Sequence, residues 1–127
     1  MMGISQWKQR LEAHERAYRA LAADLAQIGF LCQGTVLRQK LTCGRAACAC
    51  HSDPRRRHGP YPYWSSKAKG RTVSRLLTPE EADLFEEWML NRRTLQATLR
   101  KMYALSKKVA PIALKIRRSQ PRSAKHA

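Results

Sequence analysis

The segment 43–64, CGRAACACHSDPRRRHGPYPYW, limits the fold more than any other part of the chain. It contains two glycines and three prolines, which interrupt regular secondary structure, together with three cysteines and two histidines. Because these interruptions prevent a regular element, something other than a large hydrophobic core must hold the segment in place. We therefore expect a bound metal ion to fix its conformation.

The spacing of the metal-binding residue types in this segment is C-x4-C-x-C-x7-H, formed by Cys43, Cys48, Cys50 and His58. Three cysteines and one histidine are a common ligand set of structural zinc. Cys32 and His51 remain alternatives for the fourth position. A catalytic zinc of the base-deaminase type would also need a nearby glutamate, and residues 25–79 contain a single acid, Asp53. The sequence thus predicts structural zinc and no enzymatic activity.

The positive charge is concentrated around this segment. The chain of 127 residues has a net charge of +16, and residues 32–78 contribute ten basic residues against one acid. Such an excess attracts phosphate and favours binding to a polyanion, DNA or RNA. The predicted nucleic-acid-binding residues are Arg38, Lys40, Arg45, Arg55, Arg56, Arg57, Lys67, Lys69, Arg71 and Arg75. Tyr61, Tyr63 and Trp64 are candidates for stacking on unpaired bases, or for packing the sheet against the helices.

Apolar residues at alternating steps of three and four predict two long helices. The first covers residues 4–28 within an N-terminal helical segment, 1–31. The second spans 78–110 and begins at Thr78, because Thr-Pro-Glu-Glu places Thr at the N-cap, Pro at the first helical position and Glu at the third. Pro111 is expected to end or kink this helix, which leaves residues 111–127 as a basic tail.

Between the helices, residues 32–77 are predicted to form a small zinc-stabilised β region. The extended runs are 34–42, 62–66 and 71–77, and the glycine in Lys67-Ala68-Lys69-Gly70 suits a hairpin turn. The fold class is therefore α+β, with two heptad-patterned helices flanking a three-stranded antiparallel sheet that carries the metal loop. The helices pair within one chain or between the chains of a homodimer, and the pattern allows both.

The first twenty residues contain no signal-peptide core, and the longest apolar stretch is shorter than a membrane span. We expect a cytoplasmic protein without a membrane partner. In that compartment clustered cysteines bind metal more often than they form disulfides.

Three motifs, CGRAACAC, HGPYPYW and GRTVSRLLTPEEADLFEEWMLNRRTL, resemble a family of small uncharacterised bacterial proteins that is associated with mobile elements and transposase neighbourhoods. The likeness covers roughly residues 34–100. It implies that the four predicted metal ligands form one set, that residues 58–61 make a turn, and that Asn91-Arg92-Arg93 is a recurring helix feature. It brings no established activity.

Charge, metal motif and resemblance together favour a non-enzymatic, zinc-stabilised nucleic-acid-binding protein that serves a mobile element as an accessory factor. DNA is favoured over RNA only through that resemblance. The alternative is a protein-interaction adaptor whose helical pair binds a partner such as a transposase.

Overall fold

The computed structural model describes residues 3–120, and within them it places two helices and one antiparallel sheet. Helix α1 covers Ile4–Leu25 and helix α2 covers Pro79–Ser119. Strands β1 (Thr35–Leu41), β2 (His58–Ala68) and β3 (Arg71–Leu76) lie in the order β1-β2-β3, so β2 is central. The α+β class with two helices and a three-stranded antiparallel sheet is confirmed.

The chain divides into two compact units. Residues 29–93 form one, called the sheet unit here, and residues 3–28 with 94–120 form the other, the helical unit. Helix α2 contributes to both units. None of the helices within residues 3–120 has the length and apolarity of a membrane span.

The hairpin between β2 and β3 follows the predicted turn. Lys69 has a φ of 53° and Gly70 a φ of 77°, and two successive positive φ angles belong to the tight turns that match the twist of paired strands. Strand β2 is longer than predicted at both ends, because it begins at His58 and ends at Ala68. Residues 58–61 are therefore strand and not the turn that the resemblance implied.

The start of α2 is the predicted capping box. The backbone N–H of Glu81 donates to Thr78 Oγ1 at 3.1 Å, and the backbone N–H of Thr78 donates to Glu81 Oε1 at 2.8 Å. These hydrogen bonds with the Thr78 amide and hydroxyl lower the pKa of Glu81. At pH values above the unfolded-chain pKa of Glu81, its carboxylate contributes fully to the stability of the fold. This contribution to stability is lost as the pH falls through the lower pKa of Glu81 in the folded chain.

We expect Thr78→Ala to lower the free energy of unfolding by about 1 kcal/mol, because one N–H of the first turn loses its acceptor. Thermal unfolding followed by circular dichroism should show a midpoint lower by roughly 4 °C. Thr94→Ala, at an exposed position in the middle of α2, is the matched control and should leave the midpoint unchanged or raise it slightly. Equal midpoints for the two variants would contradict a role for the cap.

Two predicted helix ends are wrong. Helix α1 ends at Leu25, three residues before the predicted end. Helix α2 continues through Pro111 to Ser119, so residues 111–119 are helical and only the end of the predicted tail, 121–127, lies outside the described residues. Pro111 removes one backbone hydrogen bond at a cost of about 3 kcal/mol. Ile112 and Ile116 are buried in the next turn, at 5% and 9% exposure. The burial of each side chain stabilises the fold by roughly 1.5–3 kcal/mol.

In the helical unit, the beginning of α1 lies beside the end of α2, which makes the two helices antiparallel there. The Lys115 ammonium lies 4.2 Å from the ring centroid of Trp7, close enough for a cation–π interaction. Leu11 and Tyr18 of α1 share a groove with Val109 of α2. Because α1 contains no fully buried residue, half-buried side chains make its part of this packing.

Candidate metal centre and basic surface

The four predicted metal ligands lie together in the sheet unit. One donor atom from each of Cys43, Cys48, Cys50 and His58 lies within 4.8 Å of all the others. Cys43 and Cys50 have their sulfur atoms 3.7 Å apart, and Cys48 Sγ is 3.5 Å from His58 Nε2. The sequence prediction of these residues as one set is confirmed.

Two of these separations, Cys43 Sγ to Cys50 Sγ and Cys48 Sγ to His58 Nε2, fit one metal ion with tetrahedral geometry. Metal–sulfur bonds of 2.3 Å and a metal–nitrogen bond of about 2.0–2.1 Å, as in zinc sites, give sulfur–sulfur edges of about 3.8 Å and sulfur–nitrogen edges of about 3.5–3.6 Å. The two measured distances agree with these edges to within about 0.1 Å. The other donor pairs are separated by no more than 4.8 Å, so the four residues could hold one metal ion.

The end of one strand and the start of the next position the cluster. Cys43 lies two residues after Leu41, the last residue of β1, and His58 is the first residue of β2, where it pairs with Leu41. Cys48 and Cys50 flank the start of a single-turn 3-10 helix, Ala49–His51. The Cys43 backbone N–H donates to Cys50 Sγ at 3.4 Å, which holds that sulfur in place and stabilises negative charge on it.

The cysteines of the cluster differ in proton affinity. The Cys50 amide, followed by His58 and the neighbouring thiols, lowers the pKa of Cys48 to about 6. For Cys50 the Cys43 amide acts in the same direction, but desolvation and the neighbouring thiols outweigh it and raise the pKa. A metal ligand must be a thiolate, so Cys48 is ready to bind at neutral pH. A metal cation at the centre of the cluster would stabilise the thiolate form of Cys50, which desolvation and the neighbouring thiols disfavour.

The two alternative ligands lie outside the cluster. His51 is exposed at the end of the 3-10 turn, and only His58 contributes an imidazole to the described cluster. Cys32 is bonded elsewhere, because its thiol donates to the Gln33 carbonyl at 3.4 Å and its backbone N–H donates to the Trp88 carbonyl at 3.3 Å. Burial raises the pKa of Cys32. This thiol therefore belongs to the packing between residues 29–33 and α2.

Three of the predicted basic residues, Arg55, Arg56 and Arg57, directly precede the cluster residue His58 in the chain. Pro54–Arg56 forms a second 3-10 turn, and Asp53 caps it by accepting from the Arg55 backbone N–H at 3.0 Å. The Asp53 carboxylate also lies 3.5 Å from Arg55 Nε and 3.8 Å from Arg56 Nε. The two guanidinium side chains are 92% and 70% exposed. Exposed ion pairs of this kind are weak, so both arginines stay accessible to phosphate.

The structure gives Arg38 a partner that the sequence did not indicate. Its Nη2 donates to Glu86 Oε1 of α2 at 2.6 Å. The Arg38 guanidinium lowers the pKa of Glu86, and Glu86 raises the pKa of Arg38. Arg38 therefore joins β1 to α2, and we no longer count it among the free phosphate-binding candidates.

Strand register sorts the remaining predicted residues onto two sides of the sheet. Trp64 pairs with Val36 and Arg75 on the side that contacts α2, which is here called the inner face. Arg71 shares that face by register with Ala68. Lys67 pairs with Thr72 on the opposite, outer face. The others lie outside the paired rows, with Lys40 at the bulge between Gln39 and Leu41, Lys69 in the hairpin turn, and Arg45 and Arg57 in the loop 42–57.

The three candidate stacking residues lie on different faces of the sheet, with Trp64 on the inner face and Tyr61 and Tyr63 on the outer face. Trp64 packs edge-to-face on Phe85 with ring centroids 4.8 Å apart, and its indole N–H donates to the Gln33 carbonyl at 2.9 Å. Its role is packing, the second of the two roles that the sequence allowed. Tyr61 and Tyr63 lie two residues apart on the outer face of β2, and Tyr61 is 40% exposed.

Sequence reasoning missed a polar groove at the other end of β2. The groove has a volume of about 390 Å³ and includes Arg92 of α2, which the resemblance marked as a recurring residue without giving it a role. Its remaining lining consists of loop and strand residues: Gln33, Gly34, Thr35, Ser65, Ser66, Lys67 and Thr72. The preceding residue, Asn91, donates from Nδ2 to the Phe30 carbonyl at 2.9 Å. Asn91 is thus structural, whereas Arg92 faces a groove with hydroxyl groups.

Comparison with known proteins identifies a family but no activity. The model of a domain of unknown function, DUF6788, matches residues 4–87. This match covers α1, the whole sheet, the metal cluster and the start of α2. No curated protein and no solved structure matches the chain. Since the matched residues make up more than half of its length, the chain belongs to the DUF6788 family.

Proposed function

We propose that this protein is a zinc-stabilised, non-enzymatic nucleic-acid-binding protein. The observation that carries the proposal is the position of Arg55, Arg56 and Arg57 directly between the metal ligands Cys50 and His58. A metal bound by ligands on both sides of these arginines would hold their backbone at the start of the central strand β2. Three preorganised guanidinium groups favour phosphate, because Arg matches its oxygens with paired N–H donors.

Zinc is the metal that best suits the donors. Three thiolates and one imidazole are a common structural zinc set, and two of the separations between these donors match tetrahedral edges. Four protein ligands complete such a shell and leave no position for a reacting water molecule. Asp53, the acid nearest in sequence, is already paired with two arginines. These features support a structural role for the metal and argue against hydrolytic chemistry at this site.

The test is a salt series with metal-loaded, nuclease-treated protein and fluorescently labelled duplex DNA, single-stranded DNA and RNA. The variant R55E/R56E/R57E should bind at least tenfold more weakly near 0.15 M salt. Its log–log salt slope on duplex DNA should be smaller by roughly 2 to 3, since each lost phosphate contact removes about 0.9. The result expected for the unchanged protein is binding that persists at this salt concentration.

The matched control is K101E/K107E/K108E, which makes the same change in net charge on exposed residues of α2. It should retain most of the affinity. An equal loss in both variants would mean that total charge alone attracts the polyanion. Absence of binding by the unchanged protein would refute the proposed function altogether.

The family resemblance supports an accessory role at a mobile element and, through it, DNA rather than RNA. The helical unit favours a second candidate, a protein-interaction adaptor or homodimer. Its helices carry a groove of about 390 Å³ in which apolar lining predominates, formed by Leu11, Tyr18 and Val109 among others, and the three-four spacing of apolar residues is typical of helices that pair. If the adaptor is the correct function, the charge-reversed arginine variant will keep its partner complex intact.

A further inference from the structure

We propose that the outer face of the sheet, together with the groove at its end, binds single-stranded nucleic acid, with bases on Tyr61 and Tyr63 and a phosphate in the groove beside Lys67 and Arg92. This inference rests on the proposed function and names the form of nucleic acid that the protein selects. It also assigns a binding role to Lys67 and Arg92, which line the groove at the other end of β2 from His58.

The first observation is an aromatic and apolar surface that remains open on the central strand. Tyr63 forms one row across the sheet with Leu37 of β1 and Leu76 of β3. These two leucines are 48% and 57% exposed, and Tyr61, two residues before Tyr63, is 40% exposed. Apolar side chains on all three strands thus form one continuous exposed patch. A base has the flat apolar face that fits such a patch.

The spacing of the tyrosines favours unpaired bases. Residues i and i+2 on a strand are about 7 Å apart, whereas successive bases of a duplex are about 3.4 Å apart along the axis and cover each other's faces. Two side chains at this spacing cannot both stack on neighbouring bases that stay within a duplex. Separated bases of a single strand expose their faces and can stack on aromatic side chains.

The groove supplies the second half of the site. Beyond Tyr63 on the same face of β2 come Ser65 and Lys67, and both line the groove together with Arg92. Thr35 and Thr72 add hydroxyl groups from the neighbouring strands. Two cations and several hydroxyl donors around one cavity are the donor types that hold a phosphate.

The charge of the outer face complements that of a nucleic-acid strand along the whole length of β2. None of the residues that the register places on the outer face is acidic. Arg57 precedes β2 at the metal end, and Lys67 lies near its other end. The distance between these ends is about 30 Å at 3.3 Å per residue. A strand of several nucleotides can therefore meet cations at both ends and aromatic rings between them.

The experiment compares Tyr61→Ala with Tyr61→Phe on the metal-loaded full chain. The probes are oligothymidylate and oligouridylate of about 20 nucleotides and a duplex of equal length. Probes of this length exceed the roughly 4–16 nucleotides that one single-strand-binding domain covers. We expect Tyr61→Ala to lower affinity for both single strands roughly tenfold or more. Tyr61→Phe should stay within about twofold because the ring is kept, and duplex affinity should not change with either variant.

Lys67→Glu provides an independent readout, since the exposed side chain tolerates the change without loss of packing. It should lower single-strand affinity and reduce the salt slope by about 0.7. The inference is overturned if the unchanged protein binds duplex as tightly as single strands, or if Tyr61→Ala and Lys67→Glu are both neutral. If either of these results is found but R55E/R56E/R57E still loses binding, the proposed function stands. If no probe binds, the proposed function itself fails.

Discussion

Substitution Cys50→Ser should abolish stoichiometric metal binding and release the loop 42–57 from the sheet. Cys50 is the most buried side chain of the cluster, at 2% exposure, and it contacts both the sulfur and the backbone N–H of Cys43. Structural zinc supplies about 10–16 kcal/mol of apparent binding free energy in small domains, and that energy is available only to the folded chain. Loss of one of four ligands removes a large part of it.

The measurement is metal content by elemental analysis together with thermal unfolding of the purified protein. We expect about one equivalent of zinc in the unchanged protein, much less in the variant, and a midpoint lower by more than 10 °C, since even 3 kcal/mol shifts a chain of this size that far. Strong chelation of the unchanged protein should reproduce the shift. Cys48→Ser, at a half-buried position, should do the same without placing a hydroxyl in a buried site.

Cys32→Ser is the matched control, because Cys32 is the one described cysteine outside the cluster. It should keep its metal and lose little stability. If Cys50→Ser and Cys48→Ser retained one equivalent of metal with unchanged melting, the cluster would not be a structural metal site.

The second large effect is expected for Gly34→Ala, at the residue before β1. Gly34 has a φ of 103°, a conformation that L side chains rarely adopt. A Cβ there would overlap the Ser65 carbonyl oxygen and lie 2.8 Å from Trp64 Nε1. Since Ser65 is opposite β1 in the central strand, its carbonyl cannot move without opening the sheet. We expect a loss of about 2–4 kcal/mol, combining strain with displaced pairing.

Chemical denaturation followed by tryptophan fluorescence would measure this loss, because Trp64 lies beside the mutated position. Gly44→Ala is the control, since no atom lies within 4 Å of its added Cβ and its φ lies outside the left-handed region. A midpoint for Gly34→Ala that equals that of Gly44→Ala would show that the sheet accommodates the methyl group.

Local chemistry explains which parts of the fold could be predicted. The capping box at Thr78 and the turn at Lys69-Gly70 depend on a few adjacent residues, so the sequence contains all the necessary information. The members of the Cys/His cluster were predicted for the same reason, because ligand type and short spacing limit the choice. His58 rather than His51 follows from the tight geometry that a residue adjacent to Cys50 would require.

Two errors, at Arg38 and at the end of α2, and the choice of role for Trp64 depend on partners distant in sequence. Arg38 is a typical exposed cation until α2 places Glu86 beside it, 48 residues later. Trp64 and Tyr63 are equally aromatic, and only the register decides which one packs on Phe85. The end of α2 was misplaced because the cost of Pro111 is local, whereas the burial of Ile116 depends on packing that the sequence does not display.

The pairing of Leu41 with His58 also bears on the order of folding. Strands β2 and β3 are joined by a tight turn and can pair early, whereas β1 must close the loop of residues 42–57 before it joins them. Closing a flexible loop of about 16 residues costs roughly 2.5 kcal/mol of chain entropy. Because Cys43 and His58 lie at the two ends of that loop, one bound ion closes it at the same point as the strand pairing. Metal availability would then set the rate at which the third strand is added to a hairpin that forms without it.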